Sequence, residues 1–201
     1  MKGGKKGRRS ARRRADPAGA IARFLFELGQ LKHVQRSGWW LAGIRHPETV
    51  AEHSFRAAAI AYVVAVAEGA DPARAAMLAL FHDAGESRLT DLHRLAKRYW
   101  GTDGAEAAAL AAQAAVLPPA VAAALASLHA ERRGRRTPEA RIAKDADLLE
   151  CLLQACEYRR LGFPVERWIR SSLRDLRTPF CRRLARAALR ELPERWQDAS
   201  R

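Results

Sequence analysis

The stretch Leu78–Asp91, LALFHDAGESRLTD, places a histidine and three carboxylates directly after an apolar run. If the stretch is helical, His82, Asp83 and Glu86 lie on neighbouring surfaces of one turn, because residues three or four apart share a face. Asp83 and Glu86 are then like charges at close range, which is unfavourable unless a cation or a proton intervenes. The apolar residues before them favour burial, so the sequence predicts a buried acidic site that extends towards Asp91.

The positive charge of the chain is concentrated at its N-terminus. The protein has 201 residues, of which 48% are hydrophobic, and a net charge of +14. Residues 1–16, MKGGKKGRRSARRRAD, contain eight of the 36 Lys and Arg residues and one acidic residue, so they alone carry +7. This segment has no apolar side chain larger than alanine after Met1, which predicts a disordered basic tail. We expect it to act as a solubilising arm or to attract polyanions weakly, rather than to recognise nucleic acid specifically.

The cysteines and the hydropathy pattern favour a cytoplasmic protein. Cys151, Cys156 and Cys181 are odd in number and fit neither a disulfide framework nor a zinc-binding spacing. The longest apolar run, AAAIAYVVAVA at 57–67, is shorter than the roughly 20 residues that span a bilayer. No apolar stretch follows the basic N-terminus at the distance typical of a signal peptide, so we expect no membrane association and no secretion.

Alanine and leucine dominate the rest of the chain, and no strand-like alternation persists, which predicts an all-α bundle in one domain over residues 17–195. Thr49 and Glu52 form a capping-box pattern that starts the second helix, and Asp71-Pro72 starts the third. The segments predicted to be helical are 18–33, 50–69, 72–88, 104–116, 119–131, 138–161, 164–176 and 178–191.

Three of these helices carry candidate metal ligands among apolar neighbours. His53 lies in the second helix and His82 in the third, while the long helix contains Asp145 and Asp147. Two imidazoles with carboxylates suit a divalent ion such as Mn²⁺, Fe²⁺, Co²⁺ or Zn²⁺, with positions left open for water and substrate. Helical periodicity places Asp145, rather than Asp147, on the apolar face of the long helix.

Three motifs together resemble the HD-domain phosphohydrolases, and most of all their 5′-deoxynucleotidase branch. The first is RSGWWLAGIRHPETVAEH at 36–53, the second is HDAGESRLTD at 82–91, and the third is KDAD at 144–147. The resemblance extends over residues 20–165. One difference lies next to Asp91, because the family has glycine at the position of Thr90.

The resemblance implies a metal-dependent phosphomonoesterase that hydrolyses 2′-deoxynucleoside 5′-monophosphates to deoxynucleoside and phosphate with a metal-activated water. It also implies a homodimer. The residues that it implies for the divalent metal ion are His53, His82, Asp83 and Asp147. The other residues that it implies are Glu86 and Asp91 for acid–base catalysis, Arg36 for the phosphate, and Trp39 for the sugar and the exclusion of a 2′-hydroxyl.

Several alternatives stay open at this level. His93 and His129 lie where bimetallic HD enzymes have further histidine ligands, although we favour a single ion. The substrate of the same centre could instead be another phosphomonoester, a nucleoside triphosphate or a cyclic nucleotide. A non-catalytic module that binds nucleic acid is less favoured, because a structural metal would not need Glu86 and Asp91.

Overall fold

The computed structural model describes residues 16–100 and 104–200, and these ranges are helical. The all-α prediction is confirmed: the two ranges contain no β-strand, only an isolated bridge between Gln35 and Thr49. The α-helices are α1 Pro17–Leu28, α2 Val50–Glu68, α3 Pro72–Leu80, α4 Glu86–Leu89, α5 Arg94–Trp100, α6 Ala105–Ala114, α7 Pro119–Gly134, α8 Pro138–Arg160, α9 Glu166–Asp175 and α10 Pro179–Ala188. The 3-10 helices are Gly29–Lys32, Ser37–Ala42 and Arg195–Ser200.

The predicted basic tail lies outside the described residues except for its last residue. Asp16 caps α1, because its carboxylate accepts the N–H groups of Ala18 and Gly19, each at 3.1 Å. Side-chain acceptors satisfy the otherwise unpaired N–H groups of a first helical turn. Asp16 is therefore part of the helical domain, where the prediction had assigned it to the tail.

The core is built around α2, which packs on α3 and α8. Val64 of α2, Leu78 of α3 and Leu149 of α8 are among its fully buried side chains. By length and mean hydropathy, α2 is the one helix in the described ranges that could cross a membrane. The central helix of a bundle passes the same test, and here one face of α2 is covered by α3 and α8.

The start of α2 is set by the predicted capping box. The Thr49 hydroxyl accepts the Glu52 N–H at 3.2 Å, and the Glu52 carboxylate accepts the Thr49 N–H at 2.6 Å. Two backbone bonds then attach the preceding loop: Arg36 N–H donates to Glu48 O at 3.0 Å, and Val50 N–H donates to the carbonyl of residue 34 at 2.8 Å. Both ends of the loop at 36–49 are thus held against the start of α2.

The predicted third helix is too long, because α3 ends at Leu80 and residues 81–85 form a turn before the short helix α4. In a regular helix, His82 and Asp83 would point about 100° apart. The turn instead brings His82 Nε2 to 2.9 Å from Asp83 Oδ2. This turn lies against α6, where a Cβ atom on Gly85 would make van der Waals contact with Leu110 Cγ at 3.4 Å.

The first predicted helix is also too long: α1 ends at Leu28 and a 3-10 helix continues to Lys32. The five predicted helices after residue 103 correspond to α6–α10, with ends that differ by at most three residues. The fold therefore places α2, the turn at 81–85 and α8 side by side, and these three elements carry the candidate ligands.

Candidate metal centre and active site

Four side chains from α2, the turn at 81–85 and α8 converge on one point. His53 Nε2 lies 3.4 Å from Asp147 Oδ1 and 4.0 Å from Asp83 Oδ2. His82 Nε2 lies 3.8 Å from the same Asp147 oxygen, and the two imidazole ring centres are 5.4 Å apart. The structure therefore brings together all four residues that the resemblance implied for the metal ion.

The Nε2 atoms of the two histidines at this point have no hydrogen-bond partner among the described residues. Both Nε2 atoms are buried, and the 2.9 Å contact between His82 and Asp83 does not have hydrogen-bond geometry. Buried polar atoms are nearly always satisfied, so two unpaired nitrogens facing carboxylate oxygens need an explanation. Imidazole nitrogen with carboxylate oxygen is a suitable donor set for a borderline divalent cation, and His53, His82 and Asp147 have ligand atoms within 4.8 Å of one another.

The other side of each imidazole is fixed by a hydrogen bond. His82 Nδ1 lies 2.6 Å from Ala79 O and donates to that carbonyl, which leaves Nε2 as the free acceptor. His53 Nδ1 contacts Glu150 Oε2 in a very short hydrogen bond, and Glu150 is fully buried. Arg56 holds the other Glu150 oxygen through Nε at 3.0 Å and Nη2 at 2.8 Å.

Asp147 is held by two cations on the side away from the histidines. Its Oδ2 accepts hydrogen bonds from Lys144 Nζ at 2.8 Å and from Arg132 Nη2 at 3.2 Å. Burial acts to raise the pKa of Asp147, but Lys144 and His53 outweigh it and hold the pKa well below its usual range. The carboxylate therefore stays ionised, with Oδ1 directed at the two imidazoles.

Asp145, which helical periodicity favoured, lies elsewhere. Its Oδ2 accepts the backbone N–H of Arg177 at 2.8 Å and that of Thr178 in a shorter bond, just before α10 begins. The side chain is 2% exposed, so Asp145 connects α8 to the start of α10 inside the protein. The apolar face of α8 is the face that packs on its neighbours, whereas Asp147 faces the histidines.

The two further carboxyl groups of the second motif are also buried near this point. Burial, with Asp83 and Asp91 nearby, raises the pKa of Glu86 to about 10, and its Oε2 has no hydrogen-bond partner in the part of the chain that the structure describes. Asp91 accepts the Ser37 N–H at 2.6 Å. The residue before it, Thr90, has φ of 63°, a conformation that favours glycine and strains a β-branched residue.

Arg36 and Lys97 provide positive charge on the side of the centre where Glu86 lies. Arg36 Nη1 lies 3.5 Å from Asp83 Oδ2, and its guanidinium is also near Asp91. Lys97 donates to Glu106 Oε1 at 3.0 Å, so this side chain is paired within the described residues.

Trp39 lies in the core rather than on an open face of the site. Its side chain is 2% exposed, it stacks on Trp168 with ring centres 5.5 Å apart, and its Nε1 donates to Glu48 at 2.9 Å. Tyr158 packs edge-on against it at 5.1 Å. This packing argues against the direct sugar contact that the resemblance implied, and it gives Trp39 a role in supporting the loop that carries Arg36.

His93 and His129 do not belong to the group around Asp147. His93 Nδ1 accepts the Ala96 N–H at 3.1 Å, at the start of α5. His129 lies on α7 and lines a cavity beside His82, with its Nε2 buried and without a partner among the described residues.

Sequence reasoning missed Arg56 and Arg132 as parts of the site, and it placed Glu150 only among the neighbours of Asp147 that could line a polar site. Arg56 follows His53 by three residues on α2, and Glu150 follows Asp147 by three residues on α8. Residues at this spacing share a helix face, so opposite charges one turn beyond two candidate ligands were the available signal. Arg132 had no comparable signal, because it comes from a different helix and its contact depends on the tertiary fold.

Comparison with known proteins places this geometry in a family. The family model described as HD domain matches residues 28–172. Human 5′-deoxynucleotidase HDDC2 is 32% identical over 147 residues, which cover 72% of this chain and 71% of that protein. A conserved hypothetical protein from Pyrococcus furiosus superposes with a TM-score of 0.73 at 29% identity, covering 85% of this chain and 99% of that one.

A second solved structure is similar over nearly the same extent. It is a predicted metal-dependent phosphohydrolase from Magnetospirillum magnetotacticum MS-1, with a TM-score of 0.66, 27% identity, and coverage of 86% of this chain and 91% of that one. The fold, the arrangement of His53, His82, Asp83 and Asp147, and these similarities agree: the chain belongs to the HD-domain family of phosphohydrolases.

Proposed function

We propose that this protein is a metal-dependent phosphomonoesterase that hydrolyses 2′-deoxynucleoside 5′-monophosphates to deoxynucleoside and phosphate. The observation that carries the proposal is the pair of buried, unpartnered Nε2 atoms of His53 and His82, which face carboxylate oxygens. The substrate class is supported by the similarity to the human 5′-deoxynucleotidase. The carboxyl and guanidinium groups around the centre suit phosphate chemistry.

We assign the metal ion to His53, His82, Asp83 and Asp147. When bound, a divalent cation in such a site lowers the pKa of water and polarises the phosphoryl group. Glu150 contacts His53 and Lys144 contacts Asp147, and these contacts hold the two ligands in place. The contact from His53 Nδ1 to Glu150 keeps the proton on Nδ1, so that Nε2 is free to accept a cation.

The remaining groups bind and orient the substrate. Arg36 is the candidate phosphate ligand, because a guanidinium donates parallel hydrogen bonds to phosphate oxygens. Glu86 is the candidate general acid for the departing 5′-oxygen, since its raised pKa keeps a proton on the group at neutral pH. Asp91 is held by the Ser37 N–H next to Arg36, where it can position that side chain or the reacting water.

We further propose that the chain forms a homodimer through the exposed face of α2. Phe55, Tyr62, Val63 and Val66 are 73%, 50%, 57% and 60% exposed. Exposed apolar patches of this kind mark association sites, and a self-complementary patch produces a symmetric dimer. The cytoplasmic location is also a proposal, supported by three cysteines that are all free thiols.

The substrate proposal predicts metal-dependent phosphate release. Protein stripped with a chelator and re-supplied with Mn²⁺, Co²⁺ or Zn²⁺ should hydrolyse dAMP, and AMP and dATP much less. His82→Ala should lose about a hundredfold or more in kcat/KM, because removing a ligand costs more than removing the group behind it. His33→Ala, at an exposed position outside the group of candidate ligands, is the matched control. Equal release from dAMP and AMP would refute the deoxynucleotide preference.

The assignment of the metal to Asp147 rather than Asp145 predicts that substitutions of these two residues have different effects. Asp147→Asn should keep the fold and weaken Mn²⁺ binding, measured by calorimetry, by about tenfold or more. Asp145→Asn should keep Mn²⁺ affinity and lower the free energy of unfolding by about 1–3 kcal/mol, because it weakens buried hydrogen bonds to the start of α10. The reverse pattern would assign the metal to Asp145.

The contact between His53 Nδ1 and Glu150 predicts that a substitution of Glu150 changes the metal affinity. Glu150→Gln should weaken Mn²⁺ binding by about 10–100-fold, because the imidazole loses the carboxylate that orients it. Glu157→Gln is the matched control, since Glu157 also pairs with Arg56 but has no contact with His53. Equal affinities for the two variants would show that Glu150 has no effect on the metal.

The dimer proposal predicts a change of mass in solution. Val63→Asp should convert a dimer to a monomer in analytical ultracentrifugation, because it places a charge in the apolar face of α2. Val116→Asp is the control, as Val116 is 53% exposed in the turn between α6 and α7. A wild-type protein that sediments as a monomer at high micromolar concentration would exclude this interface.

A further inference from the structure

The segment 166–190, which contains α9, α10 and the turn between them, carries a strong positive charge. It has eight arginines and two acidic residues, so its net charge is +6. All eight arginines are exposed, and we call the surface that they form the arginine face. Like charges three or four residues apart on a helix repel one another, so this surface is unfavourable unless anions approach it.

The arginines of α9 lie on the side of the helix away from the core. Arg167, Arg170 and Arg174 are three and four residues apart and so share one side, whereas Ile169 is buried where α9 packs on α8. Arg167 and Arg170 have no ionic partner among the described residues, and Arg174 pairs with Asp175. Two of the three guanidinium groups are therefore available to an anion.

The arginines of α10 continue this surface. Arg182 and Arg186 are four residues apart, so they share one side of the helix. The two helices meet at the turn 176–178, where Arg182 Nε donates to Leu176 O at 2.9 Å and Arg177 is exposed. Exposed arginines therefore continue from α9 through the turn to α10 without interruption.

The arginine face and the metal centre lie on different sides of α8. Asp145 accepts backbone N–H groups at the turn before α10, whereas Asp147 faces the two histidines of the centre. Positions two residues apart on a helix point about 200° apart, so the two carboxylates project in nearly opposite directions. A ligand bound to the arginine face would therefore lie apart from the phosphate in the proposed reaction.

The arginine face has no exposed apolar surface beside it. Within 162–191, all of which the structure describes, no large apolar side chain is exposed, and Trp168 and Phe180 pack against the core. A helix that lies on a bilayer needs an exposed apolar face, and stacking on unpaired bases needs exposed aromatic rings. Protein interfaces are centred on apolar and aromatic anchors. The absence of all three features favours a ligand that is bound through its charge.

We propose that the arginine face binds the phosphate backbone of a nucleic-acid duplex, independently of base sequence. A duplex presents its phosphates on the outside, and guanidinium groups donate paired hydrogen bonds to phosphate oxygens. α9 and α10 have 10 residues each, so at 1.5 Å per residue each helix is about 15 Å long. Each strand carries a phosphate about every 3.4 Å along the duplex, so either helix spans several phosphates.

The test compares two triple variants of the full chain. The first lacks three guanidinium groups of the arginine face: Arg170→Gln, Arg177→Gln and Arg186→Gln. The second is the matched control and lacks three exposed arginines of α1 and the end of α7: Arg23→Gln, Arg133→Gln and Arg136→Gln. Both variants lose three positive charges and keep the basic N-terminal tail, so they differ in where the charge is lost.

Binding to fluorescent DNA and RNA duplexes of unrelated sequence is measured by anisotropy between about 50 and 200 mM salt. We expect the arginine-face variant to bind about tenfold or more weakly than the control variant. Its plot of log affinity against log salt concentration should be shallower by about three, because each lost phosphate contact lowers the slope by about one. Both variants should keep the wild-type melting temperature, since the replaced side chains are exposed.

Three results would overturn the proposed duplex site. Equal duplex affinities of the two variants would assign the binding to other basic residues, such as those of the N-terminal tail. Absence of duplex binding by the wild-type protein at about 50 mM salt would exclude the site altogether. Tighter binding to vesicles of equal parts phosphatidylserine and phosphatidylcholine than to either duplex, lost in the arginine-face variant, would identify a membrane surface as the partner instead.

Discussion

Buried carboxylates dominate this structure, and cationic side chains make their burial possible. On α8, Glu150 is fully buried and Asp147 is 14% exposed, and an unpaired negative charge at either position would be destabilising. Arg56 neutralises Glu150, and Lys144 with Arg132 neutralises Asp147. The pair between Arg56 and Glu150 joins α2 to α8, and the pair between Arg132 and Asp147 joins α7 to α8, so these ion pairs add to the packing of the apolar core.

In this arrangement the two oxygen atoms of each carboxylate have different partners. One oxygen of Asp147 accepts hydrogen bonds from cations, while the other faces the two imidazoles. Glu150 similarly accepts from Arg56 on one oxygen and contacts His53 through the other. The cations restrict the rotamers of both side chains, so the oxygen atoms that face His53 are held in place before any ligand arrives.

The sequence predicted the local features of this fold better than its tertiary contacts. The capping box at Thr49 and the length of α8 were predictable, because they depend on neighbouring residues. The end of α3 was not, since its apolar and acidic residues are equally compatible with a helix to Arg88. Periodicity pointed to Asp145, because it detects the buried face of a helix and cannot distinguish a structural carboxylate from a functional one.

The motif resemblance identified residues that local patterns could not. It named the four side chains that meet at the centre, although His53 and Asp147 are separated by 94 positions along the chain. It was less informative about the residues that surround the centre. Trp39 is buried against Trp168 rather than open to a sugar, and Arg132 comes from a helix that none of the motifs covers.

The closed loop before α2 has a consequence for the evolution of this protein. Hydrogen bonds from Arg36 to Glu48 and from Val50 to residue 34 join the two ends of the loop, so its tip does not set the position of Arg36. Gly43 and Arg45 at the tip are exposed to solvent. Substitutions at Arg45 can accumulate over generations without changing the distance between Arg36 and His53, whereas its neighbour Ile44 is 5% exposed in the core and Gly43 has φ of 82°, so these two positions are constrained.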